Sequence, residues 1–303
     1  MNLLEKYNIF KGLSVNILTN MFRSLNRKTF SLYDVTLTKT LLNIQEYIPL
    51  LEKKGIFDSI LSKSPDAIEV GSFISPEVFP QIKYSEELFE YAKDKCEKTD
   101  IYMVVPNFCQ YFDKAVNLGV ENISIDLSVS DEYMKNNIYQ DFSTARKTIL
   151  ENINKNNFKN TKVYLDNIGF CPYKKEKLHL REIFMKIESI LECDEITHVC
   201  LADSNCTMCW SEWNRIFDII YKKQLPISKL SLKLGTDSKG KYLGDVRYTL
   251  LTAYFKSLDK IDISNIDPLD NLYSTQSDKQ VIDYKIYDDI IESINRQIQV
   301  SSI

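Results

Sequence analysis

The sequence predicts an α/β fold, a TIM (β/α)8 barrel in a single domain with a short N-terminal helical extension. Three observations predict it. Short β-type apolar runs recur at intervals of roughly thirty residues, each followed by a helical pattern. Counting along the chain gives eight strands. No linker rich in Pro, Gly or Ser divides the 303 residues, and a barrel of this class occupies about 250 residues as one domain.

The elements follow in order. Residues 1–30 read as a helical segment with Leu3, Leu4, Ile9 and Phe10 to bury, and residues 31–303 as the barrel. Basic Lys6, Lys11, Arg23, Arg27 and Lys28 against the lone Glu5 are a weak match to an organellar transit peptide. The first β/α unit is a strand at 31–37 and a helix over 42–54; the second pairs 67–71 with 85–96, the third 101–105 with 108–118. The fourth strand, 123–127, precedes a helix ending near Asn154, and 163–168 precedes 177–191. Then 197–202 precedes 208–222, 230–234 precedes 242–256, 261–263 is the eighth strand, and 284–298 is the closing helix. Strands this apolar point to a parallel sheet covered by helices. A doubly wound open sheet is the competing arrangement, but the first β/α turn, Thr38-Lys39-Thr40, has no glycine for a dinucleotide phosphate.

Composition narrows the function. The chain is 44% hydrophobic and 26% charged, a globular balance. No apolar run approaches the roughly 18 residues of a membrane span, so no membrane partner is expected. Lys and Arg number 38 against 42 Asp and Glu, for a net charge of -4; without a basic stripe, nucleic acid is not expected either. Seven cysteines form no disulfide framework and fit a reducing, cytoplasmic location.

Barrel active sites form at the C-terminal ends of the strands. The residues there are Lys39, Glu69 with Ser72, Asn107, Asp126 with Ser128, Asn167, Asp203 with Ser204, and Lys233 with Asp237, with Cys171 on the loop after the fifth strand. An amine at a barrel mouth forms a Schiff base with a carbonyl only if its pKa is lowered. Lys39 and Lys233 are the candidates for that chemistry; the plainer expectation is that both are ordinary tolerated charges, with Lys39 satisfying carboxylates such as Glu69 or Asp203. Glu69 and Asp203 suit hydrogen-bond networks better than acid–base roles. The C-x-x-C spacing of Cys206 and Cys209 lacks a second pair or histidines for zinc. Trp210 and Trp213 read as packing residues, and Lys174, Lys175 and Lys177 as a solvated run.

Several of these segments, in order, resemble the barrel metallolyases of the pyruvate carboxyltransferase type, which include hydroxymethylglutaryl-CoA lyase. The most specific is Ile68-Glu69-Val70-Gly71-Ser72-Phe73-Ile74-Ser75-Pro76 followed by Pro80-Gln81. Pro106-Asn107, Ser130-Asp131 through Lys135-Asn136-Asn137-Ile138, Cys171-Pro172-Tyr173 and Leu201-Ala202-Asp203-Ser204 resemble further lyase segments.

The resemblance implies carbon–carbon bond cleavage beside a carbonyl, with a divalent cation held by an aspartate and two histidines. This chain departs from that pattern in three places. Where the family has Arg-Asp-Gly on the first strand, the run is Thr38-Lys39-Thr40, and Lys39 stands in the place of the metal-binding carboxylate. Where a His-x-His pair should end the seventh strand, the segment is Leu232-Lys233-Leu234-Gly235-Thr236; the chain's only histidines are His179 and His198. Where a glycine-rich loop after the eighth strand should carry a cysteine, the last glycine is Gly244 and the last cysteine Cys209.

The expectation is therefore a lyase-like barrel without metal or other cofactor and without metal-dependent catalysis. It is retained for binding, regulatory or structural use, with Glu69, Ser72, Asn107, Asp203, Ser204 and Cys171 lining its pocket. The alternative is a metal-free aldolase acting through Lys39 or Lys233. Expected ligands are a small carbonyl compound or a CoA-type molecule, and the reading allows a homodimer.

Overall fold

The computed structural model describes residues 30–237, 243–265 and 279–300. The expected N-terminal helix and most of the loop after the eighth strand lie outside them. Strands β1 (Ser31–Asp34), β2 (Ala67–Ser72), β3 (Asp100–Val104), β4 (Asn122–Ser128), β5 (Asn160–Asp166), β6 (His198–Asp203), β7 (Leu230–Asp237) and β8 (Lys260–Ile263) pair in sequence order, all parallel. The pairing of β8 with both β7 and β1 closes the barrel. A helix follows each strand: α1 (Leu50–Ser62), α2 (Ser85–Lys93), α3 (Cys109–Asn117), α4 (Phe142–Asn156), α5 (Leu180–Leu191), α6 (Trp210–Lys222), α7 (Leu243–Phe255) and α8 (Tyr284–Val300). No helix among the described residues is long and apolar enough to cross a membrane.

Four local expectations need correction. The helix expected over 42–54 starts only at Leu50, after extended Pro49; before it the chain forms a π turn at Thr36–Thr40 and a 3-10 turn at Leu41–Asn43. Residue 177 is not helical. It closes a short hairpin in which Phe170–Cys171 pairs with Glu176–Lys177. The end of β7 also pairs antiparallel with β9 (Lys279–Val281), a strand that the apolar pattern does not reveal.

The fourth correction concerns the barrel interior. Successive side chains on a strand point to opposite faces, and here the outward set is apolar. Ile68, Met103, Ile123, Val163, Val199, Leu232 and Ile261 belong to one large buried cluster that includes Phe57, Phe112, Ile187 and Trp213 from the helices. The inward set is largely polar: Glu69, Ser124, Lys162, Tyr164, His198, Ser231 and Asp262 are all buried. Tyr164, Cys200 and Ala202 form a small cluster of their own. The strands thus carry an alternation masked by their overall apolarity. Helix packing, not a dry barrel centre, supplies most of the hydrophobic burial.

Gly71 shows why the second segment needs its glycine. A Cβ there would lie 2.5 Å from the Ser85 Cβ. That close approach lets the Ser85 hydroxyl accept from the Ser72 backbone N–H at 3.1 Å, pinning the start of α2 to the end of β2.

Candidate functional site

The site is built from the π turn after β1 and the upper halves of β2, β4, β5, β6 and β7. The π turn carries Lys39 across the barrel mouth, where its Nζ donates to both carboxylate oxygens of Asp126 on β4, at 2.6 and 2.8 Å. Lys233 on β7 donates to Oδ1 of Asp166 on β5 at 3.0 Å. Below them the Tyr164 ring lies 4.5 Å from Lys39 Nζ and 4.7 Å from Lys233 Nζ, a cation–π contact from each. Lys39 does meet a carboxylate as expected, but the partner is Asp126, not Glu69 or Asp203, and Lys233 pairs as well, with Asp166.

Glu69 belongs to a deeper network. Its Oε2 accepts from the Thr38 hydroxyl at 2.6 Å and its Oε1 from the Tyr164 hydroxyl at 2.5 Å. That hydroxyl also lies 2.8 Å from Asp262 Oδ2, and Asp262 receives Lys162 Nζ at 2.7 and 2.8 Å. Asp203 holds its own loop: Oδ1 accepts from the Thr207 backbone and hydroxyl at 2.8 and 2.7 Å, and Oδ2 from the Met208 N–H at 2.8 Å. Asp203, Ser204, Asp166, Asn167, Tyr133, Phe170, Pro172, Asn205 and Thr207 line a cavity of about 270 Å³ at the mouth.

The remaining expected pocket residues are not brought to that cavity. Ser72 is buried, its hydroxyl donating to the Val104 carbonyl and accepting from the Ile74 N–H. Asn107 is buried and ties the loop before α3 to α4, donating to Gln140 at 2.9 Å and to the Ala145 carbonyl at 3.0 Å. Cys171 lines a separate cavity of about 180 Å³ beside Ser130, whose hydroxyl lies 3.0 Å from its sulfur. Among residues the sequence singled out least, Tyr133, Tyr164 and Asp166 prove central. Lys162, Tyr164 and Asp166 follow each other at a spacing of two on β5, the signal by which they were legible as one inward row.

The surrounding charges set the direction in which each group's titration moves. Burial opposes a charged Lys39, but the carboxylates of Asp126, Glu69 and Asp166 outweigh it and raise its pKa above the ordinary lysine value. Lys233 is likewise opposed by burial, yet Asp166 and Asp126 prevail against the repulsion of Lys39 and raise it. Burial pushes the Asp126 carboxyl up, but Lys39 and Lys233 more than offset it and hold it below its usual value.

A divalent ion of the kind the resemblance implies does not fit these residues. The segments that the resemblance matches to the ligands put two ammonium groups, Lys39 and Lys233, at the mouth, and they would repel a dication in a partly buried site. Gly235, two residues beyond Lys233, cannot carry a ligand in this backbone, because a Cβ there would overlap the Ser204 carbonyl oxygen. Among the described residues no group of three or more His, Cys, Asp or Glu side chains is arranged to hold a metal.

No family model matches the chain. A stretch of 96 residues, 32% of this chain, is 28% identical to 31% of the 3-hydroxy-3-isohexenylglutaryl-CoA/hydroxy-methylglutaryl-CoA lyase of Pseudomonas aeruginosa. The chain therefore matches under a third of that enzyme's length. The structure of the HMG-CoA lyase from Brucella melitensis superposes with a TM-score of 0.76 at 17% identity, covering 91% of this chain and 97% of that one. An HMG-CoA lyase from Acinetobacter baumannii, in complex with coenzyme A and 3-methylmalate, gives 0.67 at 18% identity over 89% and 92%. From strand order to overall superposition, the chain has the fold of the hydroxymethylglutaryl-CoA lyases.

Proposed function

We propose that this chain is a lyase-like barrel that does not use a metal to cleave carbon–carbon bonds and that serves to bind a small molecule at the barrel mouth. The observation that supports this reading is the double ion pair of Lys39 with Asp126 and Lys233 with Asp166, which puts positive charge where the resemblance implies metal ligands. Cleavage through a dication needs a localised charge that can polarise substrate oxygens. Here the available charges are already engaged by carboxylates of the same chain.

Schiff-base chemistry is the weaker reading. It needs a neutral amine, and pairing raises the pKa of both lysines.

One set of assays on the full chain tests the proposal: metal content, cleavage of hydroxymethylglutaryl-CoA with Mg2+ or Mn2+ added, and borohydride trapping with small ketones and aldehydes. The expected result is no bound metal, no turnover and no trapped adduct. Stoichiometric metal with turnover overturns the reading, and an adduct on Lys39 or Lys233 replaces it with the aldolase. A Lys39→Asp, Lys233→His, Gly235→His variant is expected to gain no Mn2+ binding by calorimetry, because Gly235 lacks the room.

A further inference from the structure

Resting on the reading of the mouth as a binding site, we propose that its ligand is a small organic cation, an amine or quaternary ammonium compound, and not an acidic thioester.

The first ground is which charges face the water. The side chains of Lys39 and Lys233 are 15% and 4% exposed, whereas those of their partners Asp126 and Asp166 are 31% and 21% exposed. The ammonium groups lie beneath, over the Tyr164 ring, and the carboxylates form the rim. Around the mouth, among the described residues, Lys39 and Lys233 stand with Asp126, Asp166 and Asp203, so carboxylates outnumber ammonium groups there. An anion entering here meets a negative rim.

The cavity lining is the second ground. No Lys, Arg or His is among the described residues lining the 270 Å³ space. Asp166 uses Oδ1 for Lys233 and, among the described residues, has no hydrogen-bond donor on Oδ2. Asn167 spends its amide nitrogen on Ser128 Oγ at 3.0 Å, which leaves its carbonyl oxygen as an acceptor. Acceptors thus dominate a wall on which Tyr133 and Phe170 supply aromatic rings. Carboxylate plus aromatic face is the chemistry that recognises ammonium groups.

The third ground is the Tyr133 phenol. Burial raises its pKa first, and the charges of Asp166 and Asp126 raise it further, outweighing the opposing Lys39. At that hydroxyl, then, the two carboxylates act more strongly than the lysine.

The test is calorimetry and thermal shift on the full chain with agmatine, putrescine and tetramethylammonium, set against succinate, coenzyme A and Mg2+. Saturable binding of at least one amine is expected, with about tenfold weaker affinity in Asp166→Asn. Because Asp166 also holds Lys233, Tyr133→Leu is the second variant, expected to weaken binding about threefold through the lost ring face.

Binding of succinate or coenzyme A without amine binding overturns the cation and leaves the non-catalytic binding reading standing. A response to Mg2+ equal to that of the amines, amine binding unchanged in both variants, or silence from every probe also overturns it. Metal-dependent cleavage of hydroxymethylglutaryl-CoA sinks the functional reading, whatever the amines do.

Discussion

In the middle of the barrel the Lys162 and Asp262 side chains are 1% and 0% exposed, while at the mouth Lys39 and Asp126 are 15% and 31% exposed. Both pairs join ammonium to carboxylate at under 3 Å, yet the surroundings give them different work. The inner pair is closed off, with Asp262 also receiving the Tyr164 hydroxyl. A buried pair costs desolvation and is weak ground for stability in itself, but losing one partner strands the other. The outer pair keeps an edge toward water, so its carboxylate can meet something that arrives. The comparison teaches that solvent access separates a scaffold pair from a candidate ligand contact.

The largest expected effect is on the inner pair. Lys162→Met leaves Asp262 buried without its cation, and the expected loss is about 3–5 kcal/mol of unfolding free energy by urea denaturation. A loss under about 1 kcal/mol would break the comparison, since it would mean that the inner pair is as solvated as an outer one.

Asp34 sharpens the same contrast. It is fully buried, with Oδ1 accepting from the Thr36 N–H. Burial pushes its pKa from 3.8 up to about 7. Folding therefore favours the protonated acid: its contribution is complete below about pH 4 and is lost as pH rises through about 7. Asp34→Asn is expected to be more favourable relative to the parent at pH 8 than at pH 5, by on the order of 2 kcal/mol. Equal effects at both pH values in denaturant melts would refute the assignment.

At the mouth, Lys39→Met is expected to cost only about 1 kcal/mol, because water can reach Asp126 once the ammonium is gone. A loss as large as that of Lys162→Met would mean that the mouth is sealed, and the distinction between the two regions would fail.

Much of the barrel is legible in the sequence because each strand and helix declares itself by local periodicity. Helix α4, for example, is bounded by Asp141, which accepts from the Thr144 N–H, and by left-handed Asn157. What local pattern cannot show is pairing across the barrel. Lys162 and Asp262 lie 100 positions apart in sequence, and neither the spacing nor the residue types says that they meet. Lys39 stood out as a cation in an unexpected place, but its partner Asp126 depends on the π turn at Thr36–Thr40, a geometry with no plain sequence signature. Asn107 and Ser72 sit where the strand-end rule puts pocket residues, yet backbone and side-chain partners draw both inward. The polar interior was obscured for a simpler reason: the apolar outward residues on each strand dominate its average character.

The contact between Gly235 and the Ser204 carbonyl bears on how this barrel can change over generations. With two lysines settled against aspartates and a loop oxygen occupying the room beside position 235, single substitutions toward metal ligands meet opposition before they can help. A side chain at position 235 would first have to shift the Ser204 loop, itself held by Asp203 through Thr207 and Met208. The geometry works as a ratchet, leaving the chain free to diversify around its mouth while resisting any change that needs a side chain at position 235.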